Sequence, residues 1–188
     1  MTRGATSMTG EPRTAAEPSN SLAAPALAGW FAYLSADFLT HAVILAPWWR
    51  ATESYWLEPT QLFARIPFAY GAFAIYVTAI LWLVTRLFGR RPAAGKAAVF
   101  GAVAGALFGA ASGLANYSIL PTPVSALLVW PASAAFASVV AVSAGVSTLN
   151  SARPWSRAAL VLLGAVLVFI VGVVLQNLLF PQGGSAPR

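Results

Sequence analysis

The sequence predicts an all-α integral membrane protein, a helical bundle of about five transmembrane helices. Of 188 residues, 59% are hydrophobic and only 9% are charged, whereas a soluble domain carries roughly 25% charged residues. The apolar residues fall into five separate runs, each close to the roughly 20 residues that a helix needs to cross a bilayer. Runs of this length exceed the strands of a membrane β-barrel, so the spans are predicted to be helical.

The composition also excludes several classes of function. The net charge of +6 would suit nucleic acid, but the basic residues lie between apolar runs instead of forming one basic face, so no nucleic-acid partner is expected. The absence of cysteine rules out disulfides and thiolate chemistry. One histidine and one membrane-embedded acid cannot supply the three or four ligands of a usual metal site. With no GxSxG, HExxH or Walker motif, the sequence predicts no metal and no other cofactor, and it does not support an enzyme.

The N-terminal part of the chain leads into the first span. Residues 1–21 are rich in Ser, Thr, Pro, Ala and Gly, which predicts a disordered cytoplasmic tail and no signal peptide. The first span is predicted at 22–46 and ends before Pro47. The tryptophans Trp48 and Trp49 follow it, in a segment that suits the membrane interface.

Four more spans and a short tail complete the predicted bundle. Basic residues, a Pro121-Thr122-Pro123 turn and a polar link separate the spans, and links this short make neighbouring helices antiparallel. The spans are predicted at 66–88, 97–120, 124–146 and 158–180, and the tail at 181–188.

The basic residues predict the orientation, because loops on the cytoplasmic side retain Lys and Arg. Eight lie on one side of the predicted bundle and three on the other. The N-terminus is therefore predicted in the cytoplasm, and five crossings place the C-terminus outside. The larger group is Arg3, Arg13, Arg86, Arg90, Arg91, Lys96, Arg153 and Arg157, and the smaller is Arg50, Arg65 and Arg188.

Four glycines in the third span, Gly101, Gly105, Gly109 and Gly113, recur at every fourth residue. This spacing lines one side of a helix and lets another backbone approach closely. The partner is either the small-residue stretch 132–144 of the fourth span or a second copy of the chain in a homo-oligomer.

The first span contains the most costly polar residue. Asp37 is predicted about 14 Å inside the hydrocarbon, where a carboxylate costs roughly 2.5–3.5 kcal/mol on insertion scales. His41, the single histidine, follows four residues later and shares one helix face with Asp37 and Tyr33. Asp37 and His41 are therefore predicted to share a proton.

Counting residues from the span ends brings further polar groups to a similar depth. We expect a polar cluster in the outer half of the bundle that joins Asp37, His41 and Tyr33 to Tyr70, Asn116, Tyr117 and Gln176. Such groups either hydrogen-bond neighbouring helices and hold the bundle together or line a pocket or proton path.

Several motifs resemble a family of small bacterial inner-membrane proteins of unknown function. They are residues 35–39, with Asp37 in the first helix, residues 55–56 and 66–70, and the glycine-rich stretch 105–117. The resemblance covers about residues 30 to 146, and it implies a four-helix core and a bacterial inner membrane. The chain departs from the family at Thr40-His41 and by its fifth span.

The sequence thus favours a small multi-pass membrane protein with a binding or a structural and assembly role, whose direct partner is the lipid bilayer and whose small-molecule ligand is unknown. The alternative is a small-solute or proton-coupled transporter that uses Asp37 and His41.

Overall fold

The computed structural model describes residues 21–55 and 59–180, and its regular structure within them is entirely helical. The predicted N-terminal tail (apart from Ser21) and the tail 181–188 lie outside the described residues. Six α-helices follow in chain order: α1 (Ala23–Leu39), α2 (Ala46–Ala51), α3 (Pro59–Phe88), α4 (Ala94–Ile119), α5 (Ala126–Leu149) and α6 (Pro154–Leu179).

Five of the helical segments are long and apolar enough to cross a membrane, which confirms the predicted fold class. They are α1 extended through a π-helical turn to Ile44, α3 from Phe63 onward, α4, α5 and α6. The largest shift from the predicted bounds is in α3, which begins at Pro59 and not at residue 66. Proline is favoured in the first turn of a helix, and the polar residues that follow it extend the helix beyond its apolar part.

Two helices, α1 and α5, form the centre of the bundle. α1 packs on α3, α5 and α6, while α5 contacts every other span. The two helices are equally enclosed, with 39% of the apolar window buried in each. α6 has the highest mean hydropathy, 3.1, and the smallest buried share, so it faces lipid along most of its surface.

The glycines of α4 lie against α5 of the same chain. All four are buried, and a Cβ atom added to Gly105 would overlap the Ala134 carbonyl oxygen and lie 2.6 Å from Ser138 Oγ. A Cβ atom on Gly109 would lie 2.5 Å from the Trp130 carbonyl oxygen. The two backbones therefore meet at a distance that only glycine permits.

The two ends of the bundle differ in composition. The basic end comprises the links 89–93 and 150–153, which are joined by a 3.1 Å hydrogen bond from Asn150 Nδ2 to the Pro92 carbonyl oxygen. The α2 end comprises residues 45–55, the link 120–125 and Phe180. There α2 is tied to α5 by Trp48, whose Nε1 donates to Ser125 Oγ at 2.9 Å.

Candidate functional site

A cavity of about 430 Å³ lies among α1, α3, α4 and α5, on the side of the bundle nearer the α2 end. Five of the seven residues predicted for the polar cluster line it. They are Tyr33, Asp37, His41, Tyr70 and Asn116.

Helical spacing on α1 positions the acid and the histidine. Asp37 and His41 are four residues apart, so their side chains lie one above the other, and His41 Nε2 is 3.5 Å from Asp37 Oδ1. Both side chains are partly buried, with exposures of 26% for Asp37 and 22% for His41. Tyr33, one turn earlier, is 2% exposed and forms the inner wall of the cavity.

The ring of His41 is oriented by Trp49 in α2. The Trp49 indole Nε1 donates a hydrogen bond to His41 Nδ1 at 3.1 Å. Because an indole N–H can only donate, Nδ1 must be unprotonated, and the proton of the neutral ring lies on Nε2. This tautomer directs the Nε2 proton toward Asp37 and leaves the imidazole without a charge.

The chain places Trp49 beside His41 through a change of helix type. Thr40–Ile44 form a π-helical turn, in which the Leu45 amide donates to the Thr40 carbonyl oxygen at 2.8 Å. Such turns occur often at functional sites. The short helix α2 then follows with a proline in its first turn, and it carries Trp49 back over the end of α1.

Two parallel rows of residues on α4 have different neighbours. The glycine row faces α5, and the adjacent row, which includes Phe108, Ser112 and Asn116, lines the cavity. Three residues at this spacing share a helix face. A single helix thus supplies both the close contact and part of the cavity wall.

Aromatic rings form much of the remaining lining. The ring of Tyr33 lies 4.8 Å from that of Phe73 on α3, and Phe108 stacks on Tyr76 at 4.3 Å. Trp30 Nε1 donates to the Tyr70 carbonyl oxygen at 3.0 Å and so fixes α3 against α1. Apart from the tyrosine hydroxyl groups, the side chains of this wall are apolar.

Two residues predicted for the cluster, Tyr117 and Gln176, do not line the cavity. Tyr117 follows Asn116 directly, so it points about 100° away around the helix, and 45% of it is exposed. Gln176 lies on α6, which packs mainly on α1 and contributes no residue to the lining. Their predicted depth does not determine the direction in which their side chains point.

Sequence reasoning missed several lining residues, and a signal existed for some of them. Ser112 precedes Asn116 by four residues and therefore shares its helix face, a spacing that indicates a place in the same cluster. Trp49 was assigned to the membrane interface because nothing in the i,i+4 pattern predicts the π-helical turn. Ser133 on α5 enters the site only through the packing of α5 on α4.

Several polar groups of the cavity have no hydrogen-bond partner within the described residues. No hydrogen bond joins the side chains of Ser112, Asn116 or the Tyr33 hydroxyl to another group in residues 21–55 and 59–180, and Asp37 has only His41 as a polar partner there. Polar side chains outside the cavity behave differently. The single hydroxyl proton of Ser35, for example, is shared between the Phe31 carbonyl oxygen of its own helix at 2.8 Å and the Ala165 carbonyl oxygen of α6 at 3.1 Å.

Fold and site together define a multi-pass helical membrane protein with a polar, aromatic-lined internal cavity. The chain matches no known protein family, no curated protein and no solved structure. The chemistry of the cavity is therefore the basis for assigning a function.

Proposed function

We propose that this chain is a bacterial inner-membrane protein that binds a small molecule in the cavity formed by α1, α3, α4 and α5. The volume of about 430 Å³ lies within the range of small-molecule sites, roughly 300–1,000 Å³. Its lining combines aromatic walls with a few polar groups, which is the usual composition of such sites.

The unpaired polar groups favour binding over a purely structural role. Polar side chains that hold a membrane bundle together hydrogen-bond neighbouring helices, as Ser35 does. Ser112 and Asn116 instead line the open volume without such a bond in the described residues. Polar groups buried in hydrocarbon without a partner are costly, and water or a bound molecule in the cavity would supply one.

Thiol labelling tests whether the cavity admits solutes, and the cysteine-free sequence makes single-cysteine variants unambiguous. In membrane vesicles, Ser112→Cys should react with N-ethylmaleimide, because a thiol in a hydrated cavity can ionise to the reactive thiolate. Labelling is quantified by the mass shift of the purified protein.

Two control variants place the thiol outside the cavity. Leu107→Cys faces lipid from α4, with 66% of the leucine exposed, and Ser138→Cys is buried between α4 and α5, with 1% of the serine exposed. Neither thiol should react. Labelling of Ser112→Cys no faster than that of either control would contradict the proposed function.

The distribution of charge supports a cytoplasmic N-terminus. Asp37 and Glu53 are the only acidic residues in the described part of the chain, and neither lies at the basic end. The cations at that end, which include Arg90, Arg91 and Arg153, thus have no described carboxylate beside them. Such an excess of Lys and Arg is typical of a cytoplasmic face. Alkaline phosphatase fused after Arg188 should be active and a green fluorescent protein there dark, and the reverse result would invert the topology.

Transport is a second candidate, favoured by helix irregularities at the level of the cavity. The π-helical turn Thr40–Ile44 continues α1, Pro67 lies inside α3, and Pro131 lies inside α5. Prolines and π-turns are the positions at which helices bend, and three of the four helices around the cavity contain one.

A proton-flux assay tests this candidate. The wild-type protein is reconstituted into vesicles that contain a pH-sensitive dye. When the membrane potential is made negative inside, the vesicle lumen should become acidic. Asp37→Asn and His41→Gln should abolish the flux, while the lipid-facing Leu163→Ala should not. Acidification no faster than in protein-free vesicles would reject proton transport and leave binding unaffected.

A further inference from the structure

Asp37 has no cationic partner in the lining of the cavity. The lining contains neither Lys nor Arg, and the Trp49 hydrogen bond to Nδ1 keeps the nearby His41 neutral. A carboxylate in the membrane is stabilised by pairing with a positive charge. No residue that the structure describes in the lining thus supplies a counter-charge for an ionised Asp37, and a bound cation would supply one.

The cations at the same end are engaged elsewhere or exposed. The guanidinium of Arg50 lies over the Phe180 ring at 4.2 Å from its centroid. Ile66 lines the cavity, but the preceding residue, Arg65, is exposed and does not. Neither arginine neutralises Asp37.

The walls of the cavity suit a large, weakly hydrated cation. Aromatic faces attract ammonium groups through their quadrupole, more strongly where water is excluded. Six aromatic side chains contribute to the lining: Tyr33, Trp49, Tyr70, Phe73, Phe108 and Trp130.

We infer that the ligand of this cavity is a monovalent organic cation, an amine or quaternary ammonium compound whose charge is neutralised by Asp37 and whose apolar groups contact the aromatic wall. This inference rests on the proposed function and narrows it to one ligand class. Asn116 and Ser112 line the α4 side of the same volume and would accept or donate hydrogen bonds to a polar substituent.

Two probes that differ only in charge test the inference. Benzyltrimethylammonium carries the cation, and neopentylbenzene has a carbon atom in place of the nitrogen. Full-length protein is placed in nanodiscs of phosphatidylcholine, which has no net charge, and binding is measured by equilibrium dialysis. The wild type should bind the cation about 30-fold more tightly than the neutral probe, as expected for a desolvated charge in an aromatic site.

The Asp37→Asn variant keeps the shape of the side chain and removes its charge. Its affinity for benzyltrimethylammonium should fall about tenfold, because only the attraction of the aromatic rings for the cation remains, whereas Asp37→Glu should keep an affinity close to that of the wild type. The wild-type comparison of the two probes needs no variant, so the inference stays testable even if Asp37→Asn fails to fold.

The possible outcomes separate the ligand class from the proposed function. Equal or tighter binding of neopentylbenzene by the wild type would overturn the cation inference and leave small-molecule binding in place. A folded Asp37→Asn variant that binds the cation as tightly as the wild type would also overturn it. If neither probe binds while Ser112→Cys is labelled, the cation class fails and the accessible cavity remains. If Ser112→Cys is also unreactive, both proposals fail.

Discussion

The half of the bundle toward the basic end and the half toward the α2 end use the same helices in opposite ways. Toward the basic end, Leu81 of α3 fits against glycines of two other helices, because a Cβ atom on Gly29 or Gly145 would lie 3.2 or 2.6 Å from its methyl groups. The buried core surrounds this contact, with Val77, Val84 and Val142 each no more than 1% exposed. Toward the α2 end, the helices enclose the cavity.

Side-chain size accounts for this difference. Glycine and alanine let the helices approach until their backbones touch, whereas rings such as those of Tyr33 and Phe73 line the open volume around Asp37. The packed half gives the bundle its rigidity. The cavity half provides room for polar groups that a tightly packed membrane core would not tolerate unpaired.

The largest effect is expected where α4 touches α5. Gly105→Ala should lower the free energy of unfolding by about 2–3 kcal/mol, because the added methyl group meets backbone atoms that cannot rotate away. Reversible unfolding in mixed detergent micelles measures the change. Gly164→Ala on α6 is the matched control, since no atom lies within 4 Å of its added Cβ, and it should change stability by less than about 1 kcal/mol. Equal effects of the two variants would mean that α4 and α5 are not in close contact.

A smaller effect on stability is expected from filling the cavity on the same helix. Ser112→Leu should change the free energy of unfolding by less than about 1 kcal/mol, because the larger side chain enters open volume and no hydrogen bond within the described residues is lost. The same variant should lose binding of benzyltrimethylammonium, which equilibrium dialysis measures. A loss of stability as large as that of Gly105→Ala would show that this part of the bundle is packed.

The smallest effect concerns a single hydrogen bond between α1 and α6. Ser35→Ala removes the bond from Ser35 Oγ to the Ala165 carbonyl oxygen and should cost about 0.6 kcal/mol, the average for such bonds in membrane bundles. Thr78→Val is the control, because Thr78 Oγ1 bonds only Ala74 of its own helix. Thermal unfolding of both variants compares them, and an equal loss from Thr78→Val would assign the cost to the hydroxyl itself and not to the contact between helices.

The lining of the cavity shows how far sequence reasoning reaches. The shared face of Tyr33, Asp37 and His41 follows from helical spacing, and Tyr70 and Asn116 were selected by depth; all five line the cavity. The same estimate of depth along the helices predicts Tyr117 and Gln176 for the cluster, but it gives no information on where a side chain points, and neither residue lines the cavity. Trp49 depends on a π-helical turn and a reversal of the chain, neither of which leaves a periodic pattern in the sequence.

The sequence by itself determined membrane residence, the helical fold and the rows of residues along each helix. These properties depend on hydrogen bonds within each helix and on the length of each apolar run. Both are properties of one segment, so they can be derived without knowing its neighbours. The tertiary structure decided which rows meet. It brings the glycine row of α4 against α5, leaves the adjacent row facing open volume and places Trp49 on His41. Lateral packing depends on the shapes of side chains that are far apart in the chain, and Asp37 therefore becomes a candidate binding residue only once its neighbours are known.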